Sequence, residues 1–204
     1  MPKQITKTVY LFSELSEKAQ QRAIDDARQA SAEMWNDFGA EAVLEDAISV
    51  LRLLGFTVAD DAISYSGFWS QGDGASFVGS WYPEDVKADQ AREHAPNDEP
   101  IREASEYLGA LAAKLAGAND AGIMIARHHG AHYSHEHSVG FEFGEDFPQD
   151  DTETFTKQSR DLMRWIYRNL EAEYAYQTSD DTIRERLIED EDRHVYRESG
   201  EIDW

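Results

Sequence analysis

The chain has 204 residues and 41% apolar content, with 41 acidic side chains against 19 basic ones, a formal charge of −22, and no cysteine. The absence of cysteine excludes disulfides, thiolate zinc sites, iron–sulfur ligation by Cys and cysteine nucleophiles, and it fits a reducing compartment. So acidic a surface repels phosphate backbones and anionic lipid. It attracts basic partners instead, with an affinity that falls as salt rises.

The 5 Trp, 9 Tyr and 9 Phe, together with apolar periodicity, argue for a folded core rather than disorder. No apolar run approaches the roughly 18 residues that span a bilayer, and the opening MPKQITKTVYLF lacks the organisation of a signal peptide. The expected location is therefore the cytoplasm.

In chain order, FSELSEKAQQRAIDDARQ offers Ser13 and Ser16 as caps and Leu15, Ala19 and Ala23 at helical spacing, which predicts a helix from about Ser13 to Ala32. Leu44, Ile48, Leu51 and Leu54 mark a second helix that Gly55 stops, and both helices are expected to pack on a sheet. AISYSGFWSQGDGASFVGSWYP carries a Gly72-Asp73-Gly74 turn between two strand-like runs and reads as a β-hairpin. Pro83 to Pro100, poor in apolar residues and rich in charge, reads as a solvated connection.

A third helix is predicted from about Ile101 to Ala116, with Ala104, Leu108, Leu111 and Leu115 on one stripe. A second hairpin follows, in which GIMIARHH and HSVGFEF flank GAHYSHE, and Val139, Phe141 and Phe143 alternate as in a half-buried strand. Phe155 to Tyr176 holds Leu162, Ile166, Leu170 and Tyr174 in register and predicts a long helix that covers the sheet. The tail contains a short helix from Thr182 to Glu189 and then an extended end. The expected fold is α+β: a four-stranded antiparallel sheet made from two β-hairpins and packed by about four helices. The expected domains are 1–178, the α+β body, and 179–204, an acidic C-terminal extension packed on or next to it.

Three stretches, SGFWSQGDGASF at Ser66 to Phe77, EYAYQTSDDTIRERL at Glu173 to Leu187 and the opening FSELSEKAQQRAI, resemble a family of bacteriophage and prophage proteins, some of whose members are labelled antitoxins. The resemblance implies a phage origin, and with it a protein that disables a host defence; it brings no catalytic mechanism. HHGAHYSHEH departs from the less histidine-rich hairpin expected of that family.

Several motifs have both a functional and a plainer reading. His128, His132, His135 and His137, with His129 beside them, could converge on zinc, nickel or copper, or form a solvated, pH-sensitive hairpin. Ser134 or Ser76 with His135 suggests a nucleophile pair, but no G-x-S-x-G elbow surrounds either serine. Tyr65, Phe68, Trp69, Phe77, Trp81 and Tyr82 could stack bases, yet the net charge opposes this; rings left outside the core suit a protein interface.

From Ser134 to Thr156 the chain holds acid without a single Lys or Arg, and a second acidic run lies near its end. No basic patch is evident. The sequence thus points to a non-enzymatic binding protein without a cofactor. Its contact residues are expected to be Glu142, Glu145, Asp146, Asp150, Asp151, Glu185, Glu189, Asp190, Glu191 and Asp192, with Trp69 and Trp81 as anchors. The expected partner is a basic host protein or nucleoprotein complex, such as a CRISPR effector, whose DNA-binding groove the carboxylates would occupy in the manner of a DNA mimic. The alternatives are an antitoxin or regulator of a basic toxin, and a histidine-dependent metalloenzyme.

Overall fold

The computed structural model describes residues 6–35 and 39–203. Among them are helices α1 (Glu17–Met34), α2 (Glu41–Leu53), α3 (Ala88–His94), α4 (Glu99–Lys114), α5 (Thr152–Gln177) and α6 (Asp180–Glu189). The strands are β1 (Leu54–Thr57), β2 (Ile63–Ser66), β3 (Gly74–Phe77), β4 (Gly79–Val86), β5 (Ile123–Arg127) and β6 (Val139–Phe143). The chain forms two compact units, one made of Glu41–Glu171 and the other of the segments before and after it. The boundary expected at 178/179 has no counterpart in that division, because the tail clusters with the N-terminal helix.

In the terminal unit, Ser16 rather than Ser13 caps α1, its side chain accepting from the Ala19 N–H. Ser179 caps α6 in the same way, accepting from the Thr182 N–H. The apolar face of α1, expected against the sheet, instead buries Ala19, Ala23 and Ile24 with Phe12, Leu15, Ile183 and Tyr196. Paired backbone hydrogen bonds between Tyr10 and Tyr196, at 2.9 and 2.8 Å, join the beginning of the chain to its end. This pairing makes the tail part of a core rather than an appendage.

In the central unit a four-stranded antiparallel sheet has the order β1-β4-β5-β6, and β2 and β3 form a separate two-stranded sheet. Only one of the two expected hairpins, β5–β6, therefore lies in the main sheet. The other half of that sheet comes from β1, directly after α2, and from β4, within the stretch read as aromatic hairpin and solvated connection. Strands β3 and β4 are one extended run broken at Gly79, where φ is +152°. That break sends β3 to β2 and β4 to β1 and β5. The region from Pro83 onward also contains the end of β4 and all of α3, so it is not a plain connection. Pro83 lies where β4 bulges, four residues (82–85) facing the single Gly55 of β1, so its missing N–H leaves no ladder position empty.

Register places Phe56, Trp81, Ile123 and Phe143 side by side on the inner face of the sheet. Phe155 at the start of α5 inserts among these rings, 5.1 Å from Trp81 and 6.1 Å from Phe143 between centroids. Buried Ile101, Ala104, Leu108 and Leu111 of α4 and Ala47, Ile48, Val50 and Leu51 of α2 complete the core. The Trp165 Nε1–H donates to the Asp98 carboxylate at 2.7 Å, and Asp98 caps α4, so one residue fixes α4 to α5. No helix among the described residues is long and apolar enough to cross a membrane.

Candidate functional site

Strands β2 and β3 close at the Ser66–Gly74 pair, leaving Gly67 to Asp73 as a loop longer than the expected Gly72-Asp73-Gly74 turn. The Asp73 carboxylate accepts the Ser70 N–H at 2.6 Å, and Gly67 and Gly72 take positive φ. The ring of Phe68 stacks between Tyr65 and Tyr167, at 6.2 and 5.8 Å, and the Tyr167 hydroxyl donates to the Gly67 carbonyl. Burial, then the negative charges of Asp73 and Glu171, raise the Tyr167 phenol above its ordinary value, which keeps it a donor.

This propped loop holds Trp69 at φ +72°, and among the described residues no other non-glycine has a positive φ. Left-handed backbone costs a bulky residue about 1–2 kcal/mol. Trp69 is nevertheless 71% exposed. Trp81, named with it from the sequence as an anchor, is fully buried and donates its Nε1–H to the Leu54 carbonyl at 3.0 Å. It is a core residue, because strand alternation points it inward and Tyr82 outward.

The acidic residues singled out from the sequence fall in both units. On the central one, Glu142, Glu145 and Asp150 are exposed and make no ion pair among the described residues. Glu142 projects from β6, an edge strand, where charge also discourages edge-to-edge pairing. Two others serve the fold: Asp146 accepts the N–H groups of Asn119 and Asp120 at 3.0 and 3.1 Å, and Asp151 pairs with Lys114. On the terminal unit, Glu185, Glu189 and Asp192 are exposed and lack an ion pair among the described residues, while Asp190 pairs with Arg193. Glu191 accepts the Ser13 N–H at 2.7 Å, and the hydrogen bonds from Ser13 hold its carboxyl below the usual value.

Strand β6 begins at Val139, so His135 and His137 lie in the loop ahead of it, where the His137 N–H donates to His135 Nδ1 at 3.0 Å. His128 and His132 share a shallow cleft of about 280 Å³ with them. Among the described residues no three His, Asp or Glu side chains are arranged to hold a metal ion.

A cluster that the sequence reading passed over runs along α5. Lys157, Arg160, Arg164 and Arg168 recur at three- and four-residue spacing, a stripe as legible as the apolar one beside it. The Asp161 carboxylate bridges Lys157 and Arg164, and Glu136 also pairs with Arg164, at 3.0 Å. Burial works against ionising Glu136. Its backbone N–H, the Arg164 hydrogen bond and the charges of Arg164 and His137 outweigh that and hold its carboxyl below the ordinary 4.5. The same balance, with Lys157 and Arg164 as partners, holds Asp161 below 3.8.

Carboxyls depressed in the folded state contribute stability above their unfolded values and lose it as pH falls through the folded ones. Glu136→Gln is therefore expected to cost up to about 1 kcal/mol at pH 7, since Arg164 is partly exposed. Thermal melts should show the gap to wild type closing below pH 4.5; a gap unchanged with pH would exclude the carboxylate charge as its source.

The profile of a family described as Domain of unknown function (DUF8835) matches residues 40–180. No curated protein and no solved structure matches the chain. The matched span takes in the whole central unit, with its Trp69 loop, edge-strand carboxylates and α5 stripe, and stops before the acidic run at Glu185–Asp192. By this match the chain belongs to the DUF8835 family.

Proposed function

We propose that the chain is a non-enzymatic binding protein that docks on a basic, nucleic-acid-binding partner, with Trp69 as its apolar anchor. In the phage setting that its sequence resembles, the partner is a host defence complex such as a CRISPR effector, and docking blocks access of nucleic acid. The observation that carries this reading is Trp69, a largely exposed indole held in a costly backbone conformation by a loop that Asp73 and Tyr167 brace. Strain retained at an exposed aromatic is characteristic of a recognition element, and Trp is among the residues that dominate interface energies. The excess of carboxylates, several without a cation among the described residues, supplies the preference for a basic partner.

The test is a pull-down from a bacterial lysate with active defence systems, washed at low and then high salt. A salt-released basic nucleic-acid-binding complex is expected; a small toxin would redirect the reading to an antitoxin. Trp69→Gly should leave the unfolding free energy unchanged or raise it by up to about 1–2 kcal/mol of relieved strain, and should weaken capture by about tenfold or more. Reversing Glu142, Glu145 and Asp150 together, and separately Glu185, Glu189 and Asp192, tells which acidic run contributes. If neither set changes the salt dependence and Trp69→Gly still binds, the proposed surface is wrong.

A further inference from the structure

We propose that the cleft along the N-terminal half of α5 is a binding site for a small phosphorylated ligand, separate from the acidic docking surface. The cleft has a volume of about 540 Å³ and is lined by Lys157, Arg160, Arg164, Phe143 and the threonines Thr154 and Thr156. That volume lies within the range of small-molecule sites, roughly 300–1,000 Å³. Asp161 and Glu136 pair with Lys157 and Arg164, which leaves Arg160 as the lining cation that makes no ion pair among the described residues. Glu153 is the one carboxylate among the cleft's lining residues.

Arg160 carries the argument. Its Nε–H is shielded from solvent and has no hydrogen-bond partner among the described residues, and the side chain makes no ion pair among them. Its neighbour Arg164 is already held by Glu136 and Asp161, and so shapes the wall rather than waiting for an acceptor. With the Nε edge of the Arg160 guanidinium shielded, the part of Arg160 that lines the cleft is the part an acceptor can reach, and no carboxylate among the described residues pairs with it. The guanidinium fork matches two oxygens of a phosphate, with the threonine hydroxyls as further donors. The half-buried ring of Phe143 offers a wall for the organic part of the ligand. A nucleic-acid polymer would meet repulsion from the surrounding acid; a small ligand meets only the cleft.

Isothermal titration calorimetry of the full chain with adenosine monophosphate, inorganic phosphate and succinate tests the site. The monophosphate is expected to bind with a Kd below about 1 mM, phosphate more weakly and succinate not at all. Arg160→Gln should weaken binding about tenfold or more, while the ligand-free variant melts no lower than wild type, because an unmatched donor has been removed. Arg160→Lys, which keeps the charge and loses the fork, should bind nearly as poorly. Absence of heat with both phosphates at millimolar concentration, equal binding of succinate, or wild-type affinity in Arg160→Gln would each overturn the proposal.

Discussion

Trp81→Ala is expected to cost about 3–5 kcal/mol, the range for truncating a large buried aromatic. The indole is fully buried, lies against Phe155, and satisfies the Leu54 carbonyl at the start of β1. Truncation would open a cavity at the centre of the sheet and leave that carbonyl unmatched, two costs that add. Trp81→Phe separates them: it keeps most of the ring volume and loses the hydrogen bond, and should cost about 1–2 kcal/mol. Urea unfolding of both variants is the measurement, and a loss below about 1 kcal/mol for the alanine variant would mean that the ring is not in the core.

Gly79→Ala should cost about 2 kcal/mol or more, because it combines strain with a collision. At φ +152° an L-residue is strained, and a Cβ built there would lie 2.4 Å from the Thr57 carbonyl oxygen and 3.1 Å from a methyl of Val58. The close approach is what lets one extended run serve two sheets, so its loss should loosen β1 from β4. Hydrogen exchange should show faster opening of Phe56 and Trp81 amides than of those in β5 and β6. A variant as stable as wild type, with unchanged protection, would show that the backbone can shift out of the way.

The contrast between Trp69 and Trp81 shows where sequence reading runs out. Both lie in one aromatic, serine-rich stretch with the same local composition, and both were expected to anchor a partner. One is pinned on a loop and the other packs under α5, and the difference is set by pairing of Trp81 with Phe56 and Ile123, distant in sequence. The carboxylates divide in the same manner. Glu142 and Glu145 remain open to solvent, whereas Asp146 and Asp151 are engaged by Asn119, Asp120 and Lys114, partners that no run of acid reveals. The stripe at Lys157, Arg160, Arg164 and Arg168 was legible, since spacing alone defines it, but the net charge directed attention to the acid.

By itself the sequence determined the α+β class, the six helices' approximate places except α3, the β5–β6 hairpin and the acidic surface. These follow from periodicity, capping serines and composition, which act within a few residues of each other. Only the tertiary structure decided that β1 and β4 complete the sheet, that β2 and β3 stand apart, that the tail shares a core with α1, and that Arg160 lines a cleft without an ion pair among the described residues. Strand partners, burial and the satisfaction of a buried charge depend on groups tens of residues away, and the local sequence carries no record of which distant backbone will supply them.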